Sequence, residues 1–401
     1  MTIKVLAIGD ICNLIVTISR YTKKSKIHLI NFPKDGAGIF TYADGVELFD
    51  SWKVSKQVKR INEIADQFDI CITTGIGERI AYLADLNYVA YYLGRDIDAP
   101  RFVKNSKEEW FNTPLHRLNF LERRFYKAAF ENAIAHVAGT WVYTHLEKYT
   151  KKGIKMDRWA VDPQIFNANV ETLPQKKEKF TFFSPQRMGI PKGTDLIWKA
   201  IQLCNSDFEV IQVNWFDEST KEELAIKKEL LKNKPSQVKL VPMIKRNDMS
   251  KYYNFSDAVI GNMRIGTFAL VEIEAVLCNK PVIQYSNHEI KINVDNQEVK
   301  SPFLPYSNNP QDIADIIDKV VTSKEFREKL LEKEREFVQK ISDPNLIAEW
   351  WDDLFEELVK KHKTIRKNSP KLFIKLRLLY FLIANRLYYK KMKNKIINHI
   401  C

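Results

Sequence analysis

Gly266-Thr-Phe-Ala-Leu-Val-Glu-Ile-Glu274-Ala-Val-Leu-Cys-Asn-Lys-Pro281-Val-Ile283 runs from a loop into a helical pattern and then, through Asn279-Lys280-Pro281, into a short apolar strand. Upstream, Phe180-Thr-Phe-Phe183 is another apolar run, followed by Arg187-Met-Gly-Ile-Pro-Lys192-Gly193 and a helical pattern over 195–204. An Arg and a Lys five residues apart, with a Gly where a helix starts, can hold a diphosphate. The guanidinium forks onto phosphate oxygens, the ammonium supplies a point charge, and the helix end supplies free N–H groups. The later stretch presents a second helix start at 266–268 and one carboxylate, Glu274, suited to accepting hydrogen bonds from a ribose. Together they read as a nucleotide-diphosphate site. The plainer reading makes Arg187 and Lys192 surface cations and Glu274 a cap or salt-bridge partner.

The same alternation extends over most of the chain. Apolar runs at 3–8, 26–31, 69–73 and 88–93 predict strands, and the spacing of apolar residues predicts helices at 11–21, 54–68, 75–86 and 110–135, the last carrying a helix breaker at Pro114. After a polar stretch at 167–179 the scheme repeats. Strands are expected at 180–183, 208–213, 238–241, 257–261 and 281–285, and helices at 195–204, 220–232, 248–254, 268–278, 310–321, 323–340 and 346–358. Such alternation argues for parallel sheets covered by helices on both faces, an α/β fold. Ligands of such sheets bind beyond the carboxyl ends of the strands.

These stretches resemble the donor-binding half of glycosyltransferase family 4 and its relatives, the glycosyl transferases group 1, which have the GT-B fold. Ala160-Val161-Asp162-Pro163-Gln164-Ile165-Phe166 is similar to the signature where the family's first domain hands over to its second. Residues 238–260 are similar to the strand and helix that precede its Glu segment. The resemblance covers roughly residues 135 to 360. It implies two Rossmann-like parallel-sheet domains facing a cleft: an acceptor-side domain at 1–166, a linker at 167–179 and a donor-side domain at 180–342. A helix at 343–359 would return to the first domain, and residues 360–401 would form a basic, apolar helical tail.

For the site, the resemblance implies that Arg187 and Lys192 act on the leaving diphosphate, with Gly193, Gly266, Thr267, Phe268 and Glu274 around the donor. It departs in places. The first Glu of the family pair falls on Gly266, and the family's Gly in that segment falls on Ala269. The Gly-rich loop after the first strand is reduced to Gly9-Asp10-Ile11. Where many members place His-Gly near the sugar, this chain has Leu93-Gly94-Arg95-Asp96, so Arg95 and Asp96 are the candidates there. Glu272, two residues from Glu274, is expected to point elsewhere on the helix. Asp96-Ile97-Asp98 looks like a metal motif of the other large glycosyltransferase fold and is read as a turn cluster. No metal site is expected, because the seven histidines lack ligand spacing, and His116 and His145 read as structural.

Composition and charge bound the rest. With 45% hydrophobic and 28% charged residues the chain is an ordinary globular one, long enough for two cores. Five scattered cysteines (Cys12, Cys71, Cys204, Cys278, Cys401) read as reduced thiols in a cytoplasmic protein. A strand beginning at residue 3 reads as a chain without a signal peptide. Thirteen of the 63 Lys and Arg residues lie in 360–401, where there is no acid, leaving 50 basic against 50 acidic residues in the body. Within that tail, 372–389 is strongly apolar, with Lys371, Lys375, Arg386, Lys390 and Lys393 towards one side of a helix and Arg377 opposite. This suits an anionic membrane surface along residues 370–395. A helix docked on the body is the alternative.

The expected function is a retaining, metal-independent glycosyltransferase without a cofactor. It would carry a sugar from a nucleotide-diphosphate donor to a glycan or lipid-linked acceptor in surface polysaccharide or glycoconjugate synthesis, at the cytoplasmic face of a membrane. A weakly active donor-binding scaffold subunit is the alternative, motivated by Gly266 and Leu93. Nucleic-acid binding through the tail is disfavoured by the neutral body and the apolar tail centre.

Overall fold

Strand-forming residues in the second half come in apolar pairs, Phe182-Phe183, Val210-Ile211, Val259-Ile260 and Val282-Ile283. Successive side chains of a strand point to opposite faces. Both members of each pair are buried, as a sheet covered on both faces requires. The computed structural model describes residues 2–33, 45–104, 118–174, 177–216 and 221–397, with backbone alone at 95, 140, 141 and 386–397. The chain forms two units, Met1–Met156 with Asn345–Cys401, and Asp157–Pro344.

The first unit holds seven parallel strands, β1 (Ile3–Ile8), β2 (Ser25–Asn31), β3 (Glu47–Leu48), β4 (Ile70–Thr74), β5 (Tyr88–Tyr92), β6 (Ala135–Ala138) and β7 (Gly153–Lys155). Their order is β3-β2-β1-β4-β5-β6-β7. The connections carry α1 (Leu14–Tyr21), α2 (Val54–Ile64), α3 (Gly77–Leu83), α4 (Arg95–Asp98), α5 (Phe120–Asn132) and α6 (Thr140–Leu146). Leu6, Ile8 and Ile30 on the strands pack with Ile61, Ile80 and Phe130 on the helices.

The expected helix at 110–135 is replaced by α5 and β6. A capping box between Asn119 and Glu122 starts α5, and residues 105–117, with Pro114 and His116, lie outside the described residues. Strand β6 escaped notice because its four residues carry a His in the middle. That residue, His136, is buried beside the Tyr92 hydroxyl at 3.2 Å, and burial pushes its pKa down to about 3.

Beyond β1, the Gly9-Asp10-Ile11 segment turns a carboxylate onto α1. Asp10 is fully buried and accepts hydrogen bonds from the N–H groups of Ile15 and Val16, both at 3.0 Å. The protein thereby fills that helix start with its own anion. Burial, the largest effect, raises the Asp10 pKa from 3.8 to about 7, opposed by those N–H groups. The folded state then holds the proton more tightly than the unfolded one. Stability is therefore expected to fall as pH rises from about 4 to about 7, by at most about 4 kcal/mol. Asp10→Asn keeps an acceptor for the helix and should flatten this slope in urea titrations at pH 4.5 and 7.5. An unchanged slope would show that the carboxylate is already ionised at the lower pH.

The second unit holds the parallel strands β8 (Phe180–Ser184), β9 (Phe208–Val213), β10 (Val238–Val241), β11 (Ala258–Ile260) and β12 (Val282–Ile283), ordered β10-β9-β8-β11-β12. Strands β13 (Ile292–Val294) and β14 (Gln297–Val299) form a separate antiparallel hairpin. The helices are α7 (Thr194–Leu203), α8 (Lys221–Lys232), α9 (Met249–Phe255), α10 (Leu270–Leu277), α11 (Pro310–Thr322) and α12 (Lys324–Ile341). Phe182, Val210, Ile260 and Ile283 face α7 and α11 through Ile197, Ile201, Ile313 and Ile317. Phe183, Ile211, Val259 and Val282 face the other way, against Tyr253, Ile273 and Phe337.

The division falls at Met156, earlier than the expected 166. The reason is packing. Trp159 donates its N–H to Ile341, Phe166 lies edge-on to Tyr253, and Asn254 holds the carbonyls of Asn167 and Val170. Residues 157–170 thus belong to the second unit's core and surface.

After Pro344 the chain re-enters the first unit as α13 (Pro344–His362) and α14 (Lys371–Ile397). Trp351 of α13 is fully buried and meets Tyr91 edge-on at 5.2 Å. The tail is a helix docked on the body. Phe381 lies 4.9 Å from Phe125, and Arg377 pairs with Asp85 at 2.7 Å.

Candidate functional site

In a doubly wound sheet the chain leaves neighbouring strands in opposite directions at one point, and the crevice there is open to a ligand. In the second unit that point lies between β8 and β11. The loop leaving β8 is the Arg187–Gly193 stretch, and the loop leaving β11 runs from Gly261 to Ala269. The topology therefore sets the two stretches singled out in the sequence side by side.

Backbone geometry ties them together. Residues Ile190–Lys192 form a 3-10 turn, and Gly193 follows at φ 73°, reversing the chain into α7. The Gly189 N–H donates to the Thr194 hydroxyl at 2.9 Å, and the Met263 N–H reaches the Lys192 carbonyl at 3.3 Å. A Cβ at 193 would lie 3.0 Å from the Met263 Cβ, so glycine is required by conformation and by space. Arg264 binds both oxygens of Asp195, at 2.9 and 2.7 Å, bridging the first turn of α7 to the second loop. Asn262 shapes that loop by accepting the N–H groups of Arg264 and Ile265. Arg187 and Lys192 are both partly exposed on the first loop.

The second helix start differs from the expectation of 266–268. Helix α10 begins at Leu270, with Ala269 as its cap. The Ala269 N–H is taken by Glu272 at 2.7 Å. Glu272, set aside in the sequence, is thus buried beneath the loop. Burial raises its pKa, opposed by the Ala269 N–H and, more weakly, by the Lys192 charge. Its place is legible as an N3 glutamate only once the helix start is known.

The other expected donor contacts sort differently. The Phe268 ring turns into the core, 5.4 Å from Phe337, so only its backbone can face a ligand. Thr267 is buried and its hydroxyl has no hydrogen-bond partner. Gly266 stands at φ 78°, its carbonyl bonded to the Asn287 N–H at 2.8 Å. Where the family has a glutamate, this loop has a backbone that side chains rarely adopt.

Glu274 is fully buried and both its oxygens are engaged. One is bonded to Arg246, and the other accepts the Tyr253 hydroxyl at 2.8 Å. Arg246 also lies over the Phe166 ring at 4.7 Å. The salt-bridge reading of Glu274 is therefore realised, and Arg246 is the residue sequence reasoning missed. Its only signal was a cation on the loop after β10.

Arg95 and Asp96 belong to the first unit and are not among the groups the second unit brings together. The side chain of Arg95 lies outside the described residues. Asp96 folds back on its own turn, accepting the N–H groups of Leu93 at 3.2 Å and Gly94 at 3.0 Å. Burial raises its pKa to about 6. Asp98 faces His145 at 3.4 Å. Among the described residues no group of three or more His, Cys, Asp or Glu side chains is placed to hold a metal ion.

Two parallel-sheet units, the second with a basic loop at its switch point, make up a GT-B fold. Residues 166–337 match the model of the glycosyl transferases group 1 family, and this match together with the fold makes the chain a glycosyltransferase. No curated protein sequence matches it significantly. Among solved structures, Anabaena HepE in complex with UDP and glucose is similar over 88% of this chain and 100% of its own, at 16% identity and a TM-score of 0.61. Sucrose-phosphate synthase from Thermosynechococcus elongatus covers 89% and 100%, at 14% identity and a TM-score of 0.62. A glycosyltransferase from Rickettsia africae covers 92% and 100%, at 18% identity and a TM-score of 0.58. At such identities the likeness is one of fold.

Proposed function

We propose that this glycosyltransferase takes its sugar from a nucleotide-diphosphate donor held by the second unit, with retention of configuration and without a divalent metal. The observation that carries this reading is the convergence of the Arg187–Gly193 and Gly261–Ala269 loops at the switch point between β8 and β11. Arg187, Lys192 and the start of α7 would stabilise the charge that develops on the departing diphosphate, the role a metal plays elsewhere. The UDP and glucose bound by Anabaena HepE support a nucleotide-sugar donor. The acceptor would be a glycan or a lipid-linked glycan bound by the first unit, at the cytoplasmic face of a membrane that the basic tail approaches. Surface polysaccharide or glycoconjugate synthesis is the setting this suggests.

Calorimetric titration with UDP and GDP tests the donor site. One of the two should bind, and the Arg187→Ala, Lys192→Ala double variant should bind it roughly 100-fold more weakly or not at all, since each charge-assisted bond contributes roughly 1.5–3 kcal/mol. Equal binding by wild type and variant would remove the basic loop from the site. Gly266 favours a second reading, in which the protein binds donor but turns it over slowly. Nucleotide binding with negligible transfer to any glycan acceptor would select it.

A further inference from the structure

Over residues 371–385 helix α14 is apolar on two sides, and among the described residues one of them meets the body. Arg377, Leu378, Phe381 and Ala384 share one side and meet the body. Arg377 lies over the Tyr82 ring at 4.7 Å, Asn119 donates to the Ala384 carbonyl at 3.0 Å, and the Tyr380 hydroxyl donates to the Leu121 carbonyl at 3.0 Å. Asp85 is the anchor. It receives Arg377 together with the N–H and hydroxyl of Ser369, so the helix is fixed at its start as well as along its length.

The opposite side has no such cover among the described residues. Leu372, Leu376, Leu379 and Ile383 stand at i, i+4, i+7 and i+11, one stripe of a helix, with Phe373 and Leu382 beside it. All six are between 44% and 66% exposed. Lys371 and Lys375, both exposed, border the stripe. No helix among the described residues is long and apolar enough to cross a membrane.

We propose that α14 is a rigid, in-plane docking edge of the first unit for an anionic lipid surface, not a tethered tail. The Leu372–Leu376–Leu379–Ile383 stripe enters the boundary between headgroups and acyl chains, and Lys371 and Lys375 lie among the phosphates. The body-facing side stays on α3 and α5. This deepens the membrane reading given above and rests on it. Charge complementarity selects the occupant, because residues 360–401 hold thirteen basic residues and no acid. A purely apolar protein partner would not explain that excess.

Flotation of the full chain with vesicles of phosphatidylcholine, and of phosphatidylcholine mixed with phosphatidylglycerol, is the test. The wild type should float with the mixed vesicles and not with phosphatidylcholine alone. Leu376→Glu, Leu379→Glu should weaken flotation at least roughly tenfold with little change in the melting temperature, because both side chains are about half exposed in the folded chain. Lys371→Gln, Lys375→Gln should weaken it by roughly tenfold and reduce its salt dependence. Flotation of the Glu variant equal to wild type would overturn the proposal. So would a dimer in vesicle-free solution that the Glu variant dissolves, since a second copy would then cover the stripe. Titration of the same samples with UDP and with GDP separates the two readings. Nucleotide binding without flotation sinks this one alone, and flotation without nucleotide binding sinks the donor site alone.

Discussion

Gly266→Glu, which restores the carboxylate that family 4 enzymes carry at this point, is expected to lower stability and activity together. The residue stands at φ 78°, where a side chain costs about 1–3 kcal/mol. A Cβ would also meet the Asn287 Cβ at 2.7 Å and the Tyr285 ring at 3.0 Å. The Asn287 Cβ is held close because the Asn287 N–H is bonded to the Gly266 carbonyl. Overpacking of this kind adds roughly 1–3 kcal/mol. The sum is a destabilisation of roughly 2–6 kcal/mol, measurable by urea unfolding, with Gly266→Ala showing most of the same loss. A stable Glu variant with raised sugar transfer would mean that the loop re-forms around the carboxylate.

Removing the Glu274 side chain should have the second large effect. Glu274→Ala leaves the Tyr253 hydroxyl buried without its acceptor and the Arg246 guanidinium, mostly buried, without its anion. Breaking such a pair from one side costs about 3–5 kcal/mol. Glu274→Gln can still accept from Arg246 through its carbonyl oxygen and donate its NH2 to the Tyr253 hydroxyl, and should cost less. The combination Glu274→Gln, Arg246→Met should lose less than the two single variants added, because the two groups act as one unit. A Glu274→Ala protein that unfolds at the wild-type urea concentration would mean that the pair contributes nothing. Nucleotide affinity is the separate readout. If the ribose also takes this carboxylate, Glu274→Gln will weaken UDP or GDP binding while barely moving the unfolding midpoint.

What could be read beforehand, and what could not, follows one physical line. Strand β1 at Ile3–Ile8, strand β9 at Phe208–Val213 and strand β10 at Val238–Val241 match the expected ranges residue for residue. Apolar residues dominate all three, interrupted by Lys4, Glu209, Gln212 and Lys239, because most of their positions pack against helices. Strand β6 has four residues and a buried histidine, so no run marks it. The basic loop was legible because Arg187, Lys192 and Gly193 lie within seven residues of one another, and a short segment carries its own chemistry. Glu274 was legible as a carboxylate, but its partner was not. Arg246 lies 28 residues away, and only the packing of α9 and α10 against β8 and β11 brings the two together.

The sequence by itself determined the parallel α/β alternation, the basic loop at a helix start and the concentration of positive charge at one end, since periodicity and charge are properties of neighbouring residues. The tertiary structure decided the rest. It turned Phe268 into the core, bent Glu272 back onto the Ala269 N–H at the start of α10, gave Gly266 its positive φ, and drew residues 157–170 into the second unit. It also decided that α14 docks by one apolar side and exposes the other. Each of these depends on which distant groups compete for the same buried space and the same hydrogen bonds, and no local pattern records that competition.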